Sequence, residues 1–146
     1  MLDDIDRKLL GILSANARIS LKELAAEAGL SSPSTAERLR KLDERGVITG
    51  YTVDVDPRML GYTLQAIVRV RPLPGQLHII ERMIQEMPHC VECDKVTGDD
   101  CFVARILVRN MEELDGLLDG IAERAQTSTS LVKSTSVKRR LPALLP

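Results

Sequence analysis

The cysteines and histidines are the residues of this chain best suited to metal or redox chemistry. There are three of the first, Cys90, Cys93 and Cys101, and two of the second, His78 and His89. His89-Cys90-x-x-Cys93 has the form of half a zinc site, because a thiolate or imidazole pair at this spacing can grip one ion. A structural zinc site needs a second pair at comparable spacing, and only Cys101 and His78 remain. On a strand, residues three apart point to opposite faces, so Cys90 and Cys93 converge only if the strand starts late. The reading is no metal and no other cofactor, with ordinary partly buried thiols. Catalysis is equally poorly supplied: there is no Gly-rich phosphate loop, and no nucleophile beside a His with an orienting acid. An odd number of cysteines cannot complete a disulfide framework, in keeping with a reducing compartment.

A second set of chemically capable residues lies between Ser31 and Gly50. At 100 degrees per residue, Thr35, Leu39 and Gly46 share one side of a helix, flanked by Leu42 and Ser32. Pro33, Ser34, Glu37, Lys41 and Glu44 lie opposite, and Arg38 borders them. Such a face can hydrogen-bond to a duplex. Ser34 can reach base edges or phosphate, Glu37 can accept from a cytosine amino group, and Arg38 and Lys41 can contact guanine or phosphate. A solvated helix face has the same composition, so the decision rests on what precedes it. Small Ala25 and Ala26, then Ala28-Gly29-Leu30-Ser31, make a turn too tight for bulky side chains, the geometry of a helix-turn-helix.

The elements that must carry these residues follow from periodicity. Ile5, Leu9, Ile12 and Leu13 mark a first helix with Asp3 or Asp4 as its cap. Ser20, with Glu23 three residues on, opens a second that Gly29 ends. Ser31-Ser32-Pro33 opens a third that Gly46 stops. The period then becomes two through Val47, Thr49, Tyr51, Val53 and Val55, which predicts a strand. Asp56 to Gly61 breaks the pattern and is the best boundary. Beyond it come a strand over 62–71, a helix from Leu77 to Met87, strands over 91–97 and 101–108 around Gly98-Asp99-Asp100, a helix from Met111 to Ile121, and a strand over 131–138. That order is a ferredoxin-like βαββαβ sheet, so the fold class is α+β. Gly116-x-x-x-Gly120 is read as close packing of its helix on that sheet.

Taken together, Ile5-Asp6-x-x-Leu9-Leu10, Leu24-Ala25-x-x-x-Gly29-Leu30-Ser31, Glu37-Arg38-Leu39-x-x-Leu42, Gly46-Val47-Ile48, Tyr51, Asp56-Pro57 and Leu60-Gly61 resemble the Lrp/AsnC, or feast/famine, transcription regulators. The resemblance covers nearly the whole chain, including a Val96-Thr97-Gly98 turn. It implies a winged helix-turn-helix over 1–54, a linker over 55–61, an amino-acid-sensing and oligomerisation domain over 62–140, and a tail over 141–146. It implies double-stranded operator DNA as partner, read by Ser32, Pro33, Ser34, Glu37, Arg38 and Lys41. It also implies homodimers that assemble further, to an octamer, with an amino-acid effector in the seam between dimers. Carried onto this chain, that seat is Thr97, Gly98, Asp99 and Asp100, with Ser134 or Ser136 from the last strand. One departure is Cys101, where many members carry an acidic residue; either Asp99 or Asp100 takes its place as the ammonium acceptor, or the protein takes a different effector or none.

Composition narrows the alternatives. With 146 residues, 44% hydrophobic and 28% charged, the chain has material for a real core but not for a large catalytic scaffold. Aromatic residues are only Tyr51, Tyr62 and Phe102, which disfavours reading single strands by stacking. No apolar stretch approaches a membrane span, and the opening residues are acidic; the expectation is a cytoplasmic protein without a membrane partner. A net charge of -1 supplies no global attraction to DNA. Binding must then lean on dimer symmetry, helix N-termini and local cations such as Arg7, Arg18 and Lys22. Lys138-Arg139-Arg140 can add phosphate contacts, although a frayed basic end is the preferred reading. A module whose helix-turn-helix contacts protein instead of DNA is the rival from another class.

Overall fold

In the computed structural model, which describes residues 1–144, the chain divides into two units, Met1–Asp54 with Val137–Pro146 and Val55–Ser136. The first begins with α1 (Asp4–Ala15), where the side chain of Asp3 accepts the backbone N–H of Asp6 at 2.8 Å. The second helix, α2 (Leu21–Ala28), is capped by Ser20, whose Oγ accepts from the Glu23 amide. Gly29 ends it with φ of 73°, and the Leu30 N–H reaches back to Ala25 O at 2.9 Å, a left-handed termination that glycine adopts without a Cβ penalty. The third helix, α3 (Ser32–Glu44), starts on the Ser31 cap with Pro33 in its first turn. Leu9, Leu24 and Ala28 form the centre of the core, and Ile5, Ile12, Leu13, Ile19, Leu30 and Leu39 pack around it. From α3, Thr35 and Leu42 are buried.

The alternating segment after Gly46 differs from its expected form. Residues 47–56 form no strand, and Tyr51 and Val53 are exposed. A strand needs a hydrogen-bonded neighbour, and this segment pairs with none among the described residues.

The second unit begins with a short 3-10 turn, Pro57–Leu60, and contains β1 (Leu64–Pro72), α4 (Leu77–Gln85), β2 (Cys90–Lys95), β3 (Phe102–Val108), α5 (Met111–Asp119) and β4 (Ala125–Leu131). The strand order β2-β3-β1-β4, with every neighbouring pair antiparallel, is the ferredoxin-like arrangement. Period-two burial sets its two faces. Ala66, Val68, Val70, Phe102, Ala104, Ile106 and Val108 pack with Ile80 and Ile84 of α4 and Leu114 of α5. The other face carries Ile67, Arg69, Arg71, Val103, Arg105 and Leu107, and neither α4 nor α5, which pack on the first face, covers it. The final strand is a correction: it runs over Ala125–Leu131, six residues before the expected start. Thr127, Ser128, Thr129 and Ser130 hide it from a hydrophobic search, because only Ala125 of this edge strand is buried. Residues 137–140 cluster with the first unit.

Candidate nucleic-acid and effector sites

The exposed face of α3 is built as the wheel predicts, with Pro33, Ser34, Glu37 and Lys41 outside and Thr35 and Leu42 inside. Thr35 sits fully buried because its Oγ1 donates to Ser31 O at 2.9 Å, which satisfies the hydroxyl within the helix. Ser34 Oγ accepts from Ser31 Oγ at 2.9 Å, so its hydroxyl is held at the start of the helix. A polar depression gathers five of the six expected DNA-reading residues, Pro33, Ser34, Glu37, Arg38 and Lys41, beside Asp3 and Asp6 of the α1 end. Ser32 lies outside it and is half-buried.

The cations on this face are already engaged. Arg38 Nη1 donates to Asp3 Oδ2 at 2.7 Å and to Asp6 Oδ1 at 3.0 Å, which ties α3 to the start of α1. The guanidinium holds the Asp3 carboxyl below its ordinary range. Arg40 pairs with Glu37 at 2.5 Å and with Glu44, and Lys41 Nζ lies 4.0 Å from Glu37. Arg38 is therefore a positioning group as well as a candidate base reader, a role that a helical wheel cannot reveal because Asp3 and Asp6 belong to another helix.

In the second unit, the turn between β2 and β3 is closed by the Val96 N–H to Cys101 O at 2.8 Å, and the Cys101 N–H ties its end to Val70 O of β1 at 3.2 Å. The amides of Thr97, Gly98, Asp99 and Asp100 take no part in closing it and have no partner among the described residues. Gly98 has φ of 104° with no neighbouring atom within 4 Å of a Cβ placed there, so backbone conformation rather than crowding calls for glycine. Arg71, which the sequence reading did not single out, reaches over from β1: its Nη2 is 3.5 Å from Asp100 Oδ1 and 3.9 Å from Asp99 Oδ2. It stands six residues after Gln65 and reads in sequence as one more surface charge of a strand. Ser134 and Ser136 are not brought to this turn within the chain. They are exposed, outside any strand, and follow Val132, whose N–H donates to Gln65 O at the far end of β1 from Val70. Five residues of extended chain separate those ends, roughly 17 Å.

The cysteines give a second correction. A bulge between Cys90 and Glu92 resets the alternation, so Cys90 pairs with Ile106 and Cys93 with Ala104, both on the helix-covered face. The thiols thus share a face despite standing three residues apart. Cys90 and Cys101 are half-buried as expected, whereas Cys93 is exposed; desolvation of the thiol itself raises Cys90, and with the nearby Asp94 and Glu81 carboxylates raises Cys93 to about 11. His89 is committed elsewhere, with Nε2 bonded to Glu113 of α5, whose carboxyl is held low chiefly by the Arg109 amide and then by His89. No group of three or more His, Cys, Asp or Glu able to hold a metal occurs among the described residues.

Two family profiles match these units in order: a winged helix-turn-helix DNA-binding profile over residues 2–49, and the Lrp/AsnC ligand binding domain over residues 65–142. The chain belongs to the Lrp/AsnC family. It is a DNA-binding transcriptional regulator and not an enzyme, as its relatives are. It is 36% identical over 118 residues to the HTH-type transcriptional regulator FL11 of Pyrococcus horikoshii, covering 81% of this chain and 78% of that one. It is also 36% identical over 129 residues to LrpA of Mycobacterium tuberculosis, covering 88% and 86%. Among solved structures, LrpC of Bacillus subtilis matches with a TM-score of 0.89 at 29% identity over 95% of this chain and 99% of that chain. A feast or famine regulatory protein of M. tuberculosis, solved in complex with L-methionine, matches with 0.89 at 32% identity over 97% and 99%. The regulator's two-unit architecture and its βαββαβ sheet are those of this family. No helix among the described residues is long and apolar enough to cross a membrane.

Proposed function

We propose that this regulator reads an operator with the outer face of α3 and changes its oligomeric state, and hence its DNA binding, when an amino acid binds at the turn of residues 97–100. The observation that carries the effector reading is the set of uncommitted amides at Thr97, Gly98, Asp99 and Asp100 around a glycine with positive φ. Such amides can cradle a carboxylate with no side chain in the way. Asp99 or Asp100 supplies an acceptor for an ammonium group, with Arg71 holding the pair in place. The complex of a 32% identical relative with L-methionine supports the ligand class.

Oligomers follow from the same unit. Ile67, Val103 and Leu107 share the face that no helix covers, and a second copy that covers it would bury them. The unpaired segment 47–55 would find its strand partner in a second chain. Pairs of such dimers would meet at the 97–100 turn, where Ser134 or Ser136 of a neighbouring copy can complete the seat. The effector shifts this assembly only by its difference in affinity for the two states.

Calorimetry against the twenty amino acids, paired with sedimentation, tests the reading. At least one amino acid should bind at millimolar concentration or better and alter particle size. Gly98→Val should abolish both effects and leave the dimer intact. Binding that survives the substitution unchanged would place the effector elsewhere.

A further inference from the structure

The C-terminal segment is compact with the DNA-binding unit rather than with the sheet that precedes it. Arg139 to Leu144 lie along a groove walled by α1 and residues 47–52. Leu144 is the anchor: its carbonyl accepts from Arg7 Nη1 at 2.6 Å, and its Cδ1 stands 3.6 Å from where a Cβ on Gly11 would be. A larger residue at position 11 would occupy the space that Leu144 fills.

This docking changes the electrostatics of the unit. Residues 1–54 contain eight basic and nine acidic side chains, a net charge of -1 that repels a polyanion. Lys138, Arg139 and Arg140 bring the unit to +2. On α3, by contrast, Arg38, Arg40 and Lys41 each have a carboxylate within 4.0 Å. The three tail cations are exposed and have no ion-pair partner among the described residues, although Asp4, Glu23 and Glu27 also line the groove.

We propose that Lys138-Arg139-Arg140 is a second DNA-binding site of this protein, a contact to the phosphate backbone of duplex DNA that Leu144 holds onto the DNA-binding unit. It rests on the reading that the unit binds duplex DNA, and it adds affinity without sequence preference, because unpaired cations release counterions from any duplex.

The test compares the full-length protein with Lys138→Gln/Arg139→Gln/Arg140→Gln on the operator and on an unrelated duplex of the same length. Each lost phosphate contact flattens the log affinity against log salt slope by about 0.9. Three contacts per engaged subunit correspond to an about 40-fold smaller loss of affinity between roughly 50 and 200 mM salt. The variant should weaken binding to both duplexes equally and retain the wild-type melting temperature. A wild-type slope in the variant, with the wild type binding normally, overturns the site while leaving the α3 reading untouched; a wild type that binds neither duplex overturns that reading instead. Gly11→Gln tests the anchor, since it improves the helix propensity of α1 yet displaces Leu144. With all three cations still present, its loss of affinity between roughly 50 and 200 mM salt should be about threefold smaller than the wild type's, the change that one lost phosphate contact gives. An unchanged salt dependence would show that the tail acts without being docked.

Discussion

Leu42→Ala removes the one large apolar side chain of α3 that is fully buried among the described residues. Leu42 is 1% exposed and, with Thr35, is one of two buried residues on α3. Its carbonyl also accepts from the Val47 amide at 2.9 Å and the Ile48 amide at 3.2 Å, so side chain and backbone together define where the helix stops. The substitution spares the backbone bonds and isolates the packing. Truncating a buried Leu costs about 3 kcal/mol, the transfer of the lost methyls plus the cavity left behind. A unit of this size is stable by only about 3 to 10 kcal/mol in total. A third or more of that stability should therefore go, which lowers the melting temperature of this unit by about 12 to 24 °C. The sheet unit has its own core around Val68, Ala104 and Ile106, so its transition should stay in place. Scanning calorimetry should show the transition of this unit moving down while that of the sheet unit stays, and duplex binding should be lost at the lowered transition. Leu42→Met, which conserves volume, should cost less than about 1.5 kcal/mol. A loss below about 1 kcal/mol for the Ala variant, or equal shifts of both transitions, would refute the view that the buried Leu42 side chain contributes to a core independent of the sheet.

Gly29→Ala places a Cβ in open space but in left-handed backbone, so it should cost about 1 to 2 kcal/mol by conformation alone, and Gly29→Asn less; thermal denaturation of the two variants checks the order. Asp3 should titrate below its ordinary value of 3.8, mainly because Arg38 hydrogen-bonds it, and move up toward that value in Arg38→Ala, where the Asp6 amide still holds it down. Since the native value is depressed, the pair's stabilisation is fully present above pH 3.8 and is lost as the pH falls through the native value; carboxyl NMR follows both. Cys93 is exposed, so reagent can reach it; its thiol, raised to about 11 by local desolvation and the Asp94 and Glu81 carboxylates, should alkylate at neutral pH about 100-fold slower than an ordinary thiol, and a rate equal to that of a free cysteine would contradict it.

Local chemistry was legible in the sequence wherever a residue acts on its own neighbours. Ser20, Ser31 and Gly29 set the ends of α2 and α3 through bonds three to five residues long, and those helices stand where the pattern puts them. The period-two runs of β1 and β3 were equally clear, because alternate residues of each are buried. What the tertiary structure decided depends on partners distant in sequence. β4 is a row of Thr and Ser whose strand character comes from pairing with β1, and the bulge that turns Cys90 and Cys93 to one face exists only against β3. Residues 47–56 show the converse, a strand pattern left unpaired, since periodicity states which face can be buried but not what will bury it. The attachment of Arg38 to Asp3 and Asp6, of Arg71 to Asp100, and of Leu144 to Arg7 likewise lay beyond any local pattern. Each joins charges or dipoles from separate elements, and only the folded chain brings them within a few ångströms, where the interaction becomes strong enough to matter.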